Sequence, residues 1–438
     1  MLIGYTLFDP VFVLAGTAYA ILLLSKNSEK LFVFLPLAFS LYFILPAVGY
    51  LTLSRTIPLL LIVRLIILGR FHTSPTVNNF LVPLVLILAA SFLIAPVLGA
   101  DQTRVFVRFL YYVGMIALFL FCFEIGSRPG SDALLVKGFA MSAVVLTAYG
   151  GYQIVAHYTG LPFRGIVYGP NSSGYFAEMF GLPRVNSLAN EPKRLGFVLF
   201  VGALACFKMA REIPRKRMRW TAWGWSALLV SLLTFSSSYF LTLVLFVPCL
   251  FLLYRPKLRP SIIFAGIIIL AGLAIGPGMK IVEVLGETYE RRMAEISLGL
   301  DGKVVYRQEF YAEEYLKRHP IQIISGVGVG RYYQVLNKEF GHGVGYSENG
   351  GLAPLNSNVF EAVFDLGGIG AVLLYAGIFA VLVRLRLKGF DFLFLSLLFL
   401  ALHSLTILTL PYMVLVSGFS VGQLHQRSRE RGLHAVSV

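Results

Sequence analysis

Apolar runs, each about as long as a bilayer is thick, recur along almost the whole chain and alternate with short connections. A hydrocarbon core of ~30 Å takes about 20 residues of helix, somewhat fewer where the bilayer thins. In lipid the backbone must satisfy its own hydrogen bonds, so such runs can only be helices. By that measure the sequence predicts thirteen spans: 8–25, 31–53, 56–70, 79–98, 104–125, 136–158, 194–210, 220–236, 238–254, 261–277, 362–383, 389–405 and 408–424. Twelve to fourteen spans fit the pattern, because the third segment and the last pair are marginal. The predicted fold class is an all-α polytopic membrane protein.

Composition agrees. Of 438 residues, 57% are hydrophobic and 13% charged, and the mean hydropathy is +0.76. A soluble surface of this size needs far more charge. The net charge of +15 invites a nucleic-acid reading, but the positions of the charges oppose it. Lysines and arginines cluster between the apolar runs, at Arg211–Arg219, Arg255–Arg259, Arg384–Lys388 and Arg427–Arg431. Short basic loops of this kind stay in the cytoplasm, so no nucleic-acid partner is expected. Cys122, Cys206 and Cys249 lie singly within apolar runs and read as packing residues. The first apolar stretch lacks a basic n-region and a small-residue cleavage site, so it reads as a retained helix.

With the basic tracts inside, alternation of the spans puts residues 159–193, the turn at Ser236–Ser238 and residues 278–357 outside. The expected organisation is 1–277 (ten spans and the outer loop 159–193), 278–357 (a large outer loop), 358–424 (three spans) and 425–438 (a basic cytoplasmic tail). The large loop carries nine Lys/Arg against ten Asp/Glu, which argues against a polybasic lipid anchor. Val305, Phe310, Tyr311, Tyr315 and Leu316 recur there at helical spacing, predicting an amphipathic helix.

Charged residues within spans are the first functional candidates, because lipid penalises them unless they face a cavity or a partner. Arg64 and Arg108 qualify, and Glu124 lies near a helix end; the alternative is snorkelling or an internal ion pair. A second constellation, Arg184-Val-Asn-Ser-Leu-Ala-Asn-Glu191-Pro192-Lys193-Arg194, sets one carboxylate among three cations. Pro192 suits the first turn of a helix, whose N-terminus favours anions; an ordinary interfacial cap is the alternative. Third comes Arg307, followed by Pro320 and Ser325-Gly326-Val-Gly328-Val-Gly330. These glycines allow close backbone approach, but the run lacks the strand–turn–helix setting and the Lys-Ser/Thr of a nucleotide site. Fourth is Asn356-Ser357-Asn358 with Gly367 and Gly370, whose spacing suits close helix packing.

Together these segments resemble the O-antigen ligase/polymerase superfamily (Wzy–WaaL type). Arg307…Pro320…Gly326-x-Gly328-x-Gly330 is similar to that family's R…P…G-x-G run. Asn356-Ser-Asn-Val-Phe-Glu-Ala-Val-Phe-Asp-Leu-Gly367-Gly-Ile-Gly370 matches its H-N-x-x-L-x6-G-x-x-G in spacing. Leu233-Thr234-Phe-Ser236-Ser237 is similar to its L-T-x-S-R turn, and Arg184…Glu191-Pro192 to the R…E-P of exopolysaccharide polymerases. The resemblance covers roughly residues 180–375. The family's histidine falls at Asn356, its next asparagine at Ser357 and the arginine of its turn at Ser237, departures that favour a polymerase over a ligase.

The resemblance implies a GT-C-like helical bundle in the cytoplasmic membrane, with its large loop periplasmic. It implies transfer of a glycan from undecaprenyl diphosphate to an acceptor hydroxyl, without cofactor or metal. It also implies that Arg184 and Arg307 stabilise the diphosphate and that Arg194, Arg164, Asn356, Ser357 and Gly328 contact substrate. Glu191 is then the base, or else it orients Arg184 or the acceptor, with His319 and His342 as fallback bases. Expected partners are the lipid-linked oligosaccharide, membrane lipid and a chain-length regulator. The rival readings are an O-antigen ligase, a SEDS-type glycosyltransferase and, outside the enzymes, a flippase or permease. The last usually has repeated halves and short loops; this sequence has no evident repeat and one very long loop.

Overall fold

The computed structural model describes residues 28–41, 53–68, 74–97, 101–161, 178–179, 182–189, 192–254, 308–340, 355, 357–405 and 409–436. In chain order the elements are α1 (Ser28–Ser40), α2 (Leu53–Leu68), α3 (Pro75–Val97), α4 (Gln102–Gly126), α5 (Asp132–Thr159), β1 (Glu178–Met179), β2 (Leu182–Pro183), α6 (Pro192–Glu212), α7 (Arg217–Leu232) and α8 (Ser237–Tyr254). Then follow α9 (Gln308–Arg318), α10 (Pro320–Ser325), α11 (Tyr332–Phe340), α12 (Asn358–Leu387), α13 (Asp391–His403) and α14 (Leu410–Val436). The strands form a two-residue antiparallel ladder pairing Glu178 with Pro183 and Met179 with Leu182.

Apolar runs and helices coincide wherever the predicted spans fall among the described residues; 8–25, 261–277 and the end of 31–53 lie outside them. The count of thirteen crossing helices does not carry over. Among the described residues four helices are long and apolar enough to cross a membrane: Val77–Val97, Gln102–Gly126, Asp132–Thr159 and Asn358–Leu387. Thr56–Ile67, Ser238–Leu250 and Asp391–His403 are apolar but shorter. At 1.5 Å per residue, the 13 residues of α13 reach only about 20 Å. Apolar sequence continues past its end, but the helix stops at Ser404, whose amide bonds back to Leu400. An almost wholly helical membrane protein is what these elements make. Its exposed apolar residues, such as Leu93 and Val97 on α3 and Phe379 on α12, suit a lipid-facing surface.

Local signals set the ends of the long helices. The Asp101 carboxylate accepts from the Thr103 and Arg104 amides and caps α4, and Gly160 in the left-handed conformation closes α5. Phenylalanines supply much of the core. Phe200 stacks on Phe399 at 4.1 Å, and Phe32 on Phe419 at 5.2 Å. Cys122 and Cys206 are buried in the same packing.

Helices α4 and α14 pack backbone against backbone. A Cβ on Gly126 would meet the Phe419 carbonyl, and one on Gly418 or Gly422 the carbonyls of Phe119 or Phe123. Gly418 and Gly422 are four apart on one face, the small-xxx-small spacing that lets backbones touch in lipid. Gln423 completes the seam, donating to the Gly126 carbonyl (2.9 Å) and the Ser131 hydroxyl (2.8 Å).

Helices α9 to α11 carry a small core of their own. Tyr311, Tyr315, Leu316, Tyr333 and Leu336 pack with Phe364 of α12. The amphipathic stripe is therefore real at Tyr311, Tyr315 and Leu316; the side chains of Val305 and Phe310 lie outside the described residues. Arg104 of α4 lies 4.4 Å over the Tyr333 ring and ties this cap to the bundle.

Candidate functional site

Beyond β2 the chain leaves regular structure and enters the bundle. Residues Val185 to Ala189 are buried, and the Ser187 hydroxyl donates to the carbonyl of Leu146, halfway along α5 (2.7 Å). Non-helical backbone at that depth needs partners from the protein. Gln153 of α5 supplies several. Its Oε1 accepts from the Asn186 and Ser187 amides (3.3 and 2.8 Å), and its Nε2 donates to Asn186 Oδ1 (2.6 Å). Gln153→Leu leaves those amides without their acceptor. It is expected to lower stability by about 1–3 kcal/mol, read as a drop in thermal midpoint of the detergent-solubilised protein.

The other wall is the turn after α7. The Val185 amide donates to the Leu233 carbonyl (3.1 Å), and Arg184 Nε donates to the Thr234 carbonyl (3.0 Å). The Arg184 segment and the Leu233-Thr234-Phe-Ser236 turn, about fifty residues apart in sequence, are thus one substructure. Each contains one of the two non-glycine residues with positive φ among the described residues: Ser187 (49°) and Phe235 (44°). Such conformations cost about 1–3 kcal/mol and persist only where the surroundings hold them.

Next to this turn lies a buried imidazole. His403, at the end of α13, shares a 2.6 Å hydrogen bond with Thr242 Oγ1 of α8 and lies within electrostatic reach of Lys193 at the start of α6. Phe197 and Phe399 flank its ring. Ser404 extends the polar belt to α12, its carbonyl accepting from the Asn358 amide (3.2 Å). The Asn358 carboxamide, with its oxygen turned inward, accepts from the amides of Thr409 and Leu410 at 3.0 and 3.2 Å.

A charged cluster occupies the first turns of α12. Arg108 of α4 donates to Glu361 (2.7 Å) and to Asp365 (2.8 Å). Asp365 also accepts from the Tyr112 hydroxyl (2.9 Å) and the Gly330 amide (3.0 Å). Two carboxylates share one guanidinium, and neutral donors meet the remaining charge. Beside them on the cap, burial first and the Glu361 and Asp365 carboxylates next push the Tyr332 phenol up, so it stays protonated.

The glycine run rests on this cluster. Gly326 and Gly367 have φ of 72° and 73°, and a Cβ on Gly326 would lie 2.6 Å from the Gly367 nitrogen. The Val327 amide donates to the Phe364 carbonyl (2.8 Å) where α12 kinks. The run thus seats the cap on α12, the close backbone approach expected of it. Gly370 instead faces side chains, those of Leu366 and of Ile87 on α3.

Among the residues singled out in the sequence, Arg184 is part-buried and held on the turn. Arg194 lies in the first turn of α6, which begins at Pro192 as expected, and interacts electrostatically with Tyr412. Ser357 caps α12, accepting from the Val359 amide (3.2 Å), and Gly328 packs on Ala95 of α3. Glu191, Arg307, Arg164, Asn356 and His342 lie outside the described residues. His319 stands on the cap, 3.6 Å from Glu339. Arg108 makes the internal ion pairs already described. Arg64 is buried over the Phe121 ring at 5.6 Å and within electrostatic reach of Glu124. The sequence reading passed over His403 and the pairing role of Glu361 and Asp365. The rule that selected Arg64 and Arg108, ionisable groups within apolar runs, would have found Asp365 and His403 too.

No protein-family model matches the chain, and no curated protein matches its sequence.

Proposed function

We propose that the protein is a polysaccharide polymerase. It transfers glycan repeat units from undecaprenyl diphosphate to an acceptor glycan at the outer face of the cytoplasmic membrane. The observation that carries this reading is the pairing of the Arg184 segment with the Thr234 turn. Two of the segments that resemble the polysaccharide enzymes meet there, as buried irregular backbone beside the cationic start of α6. The contacts of the glycine run with the start of α12 join the other two.

In this reading the acceptor hydroxyl attacks the anomeric carbon as the bond to the diphosphate oxygen breaks, inverting the configuration. The hydroxyl proton passes to Glu191, which adjoins Pro192 at the start of α6. The leaving diphosphate takes up the electron pair, and guanidinium groups bind its oxygens. Arg184 and Arg307 supply that charge, with Arg194 and Arg164 on the flanks. The bundle is GT-C-like, residues 278–357 are its periplasmic cap, and a chain-length regulator is a further partner.

Purified protein given a matched lipid-linked repeat unit is expected to extend it into polymer. Arg184→Ala and Arg307→Ala are each expected to slow extension about a hundredfold, the scale of losing one donor to a developing negative charge, at normal protein yield. Wild-type rates in both variants would remove these residues from the site. A repeat unit that crosses proteoliposomes without being polymerised would replace the reading with a transporter.

A further inference from the structure

Between the helices lies a cavity that Arg184 does not line, and we propose that it is a binding site for one acyl chain of an anionic phospholipid. The cavity, of about 230 Å³, lies between α3, α4, α12 and α14, and its walls are apolar almost throughout. Val77 to Leu88 form one wall and Leu410 to Val421 another. Each is about 16 Å of helix, half of the ~30 Å hydrocarbon core and so the depth of one leaflet. A lipid-facing surface borders it, with Leu86 of α3 and Phe379 of α12 both about two-thirds exposed (64% and 67%). Bilayer hydrocarbon fills an apolar recess in such a position, since an empty one leaves its lining without contacts.

Charge selects the kind of lipid. One end of the cavity reaches Tyr112, where Glu361 and Asp365 outnumber Arg108, and repels an anion. Arg384 lines the other end and is exposed, with no carboxylate partner among the described residues. Positive charge accumulates around it. Lys388 follows one turn later, and Arg427 of α14 donates to the Lys388 carbonyl (2.9 Å). Arg386 is already matched by Asp391 at 3.7 Å. A basic group at the mouth of a pocket between membrane helices is a headgroup site. The geometry therefore puts a lipid phosphate at Arg384 and its chain between Ala380 and Leu81. This holds whichever activity the Arg184 segment carries.

Native mass spectrometry of the full chain, delipidated and titrated with phosphatidylglycerol or phosphatidylcholine, tests it. The wild type is expected to hold one phosphatidylglycerol in preference to phosphatidylcholine. Arg384→Gln is expected to reduce that preference about fivefold, the factor one basic residue contributes at an anionic surface; Arg384→Lys is expected to keep it. Ala380→Phe, which fills the recess from its open side, is expected to lose the bound lipid. Equal binding of the two lipids by the wild type, or an unchanged preference in Arg384→Gln, would overturn the proposal. So would displacement of phosphatidylglycerol by an equal concentration of a polyprenyl phosphate.

Discussion

Arg108→Leu is expected to destabilise the protein by about 3–5 kcal/mol, the scale of breaking a buried ion cluster from one side. Glu361 and Asp365 stand four residues apart on one face of α12, and Arg108 meets both. Without it two adjacent carboxylates are left in an apolar setting, repelling each other and still short of water. The Tyr112 hydroxyl and the Gly330 amide can satisfy only part of that charge. The variant should accumulate poorly and lose its cooperative thermal transition. Adding Glu361→Gln and Asp365→Asn to Arg108→Leu should recover most of the loss, since neutral amides carry no unpaired charge. A single variant as stable as wild type, measured by thermal unfolding in detergent, would mean that the cluster contributes nothing.

Gly367→Ala should separate the cap from the bundle. Gly367 has φ 73° and ψ 169°, a region that residues with a Cβ essentially do not enter. The new methyl would also be driven into the backbone of Ile324, Ser325 and Gly326. Strain of about 1–3 kcal/mol and overpacking of a similar size act on the same contact, so α10 must move away. Limited proteolysis should then cut within 320–331 at least tenfold faster, roughly the factor that 1.4 kcal/mol of easier opening gives. An unchanged cleavage rate would show that the cap is held by α9 and α11 alone. Gly370→Ala, where φ is ordinary and the neighbours are side chains, should be milder.

How far these features were legible in the sequence depended on their range. Helix positions were, because hydrophobicity is a local property and the basic tracts punctuate it. Helix lengths were not: α13 ends at His403 although apolar residues continue, and nothing local marks that stop. Arg108 stood out as a charge in an apolar run, but Asp365 lies 257 residues away and only the fold brings them together. The glycine run announced close backbone approach without naming its partner, because positive φ at Gly326 and Gly367 matters only once the two segments touch. Arg184 and Thr234 each drew attention through resemblance. That one donates to the carbonyl of the other follows from Gln153 and Ser187 drawing the intervening chain into the bundle, and no spacing rule encodes that.

The α4–α14 seam has a consequence for synthesis. Gln423 bonds to Gly126 across 297 residues, so the glycine faces of α4 and α14 cannot close until nearly three hundred more residues have been made. At ~5–20 residues per second, that interval is on the order of 15–60 s. Throughout it, the groove around Gly126 must be covered by lipid or by the insertion machinery. A late helix closes onto an early one, so a ribosome that stalls before Leu410 leaves the bundle open along this seam.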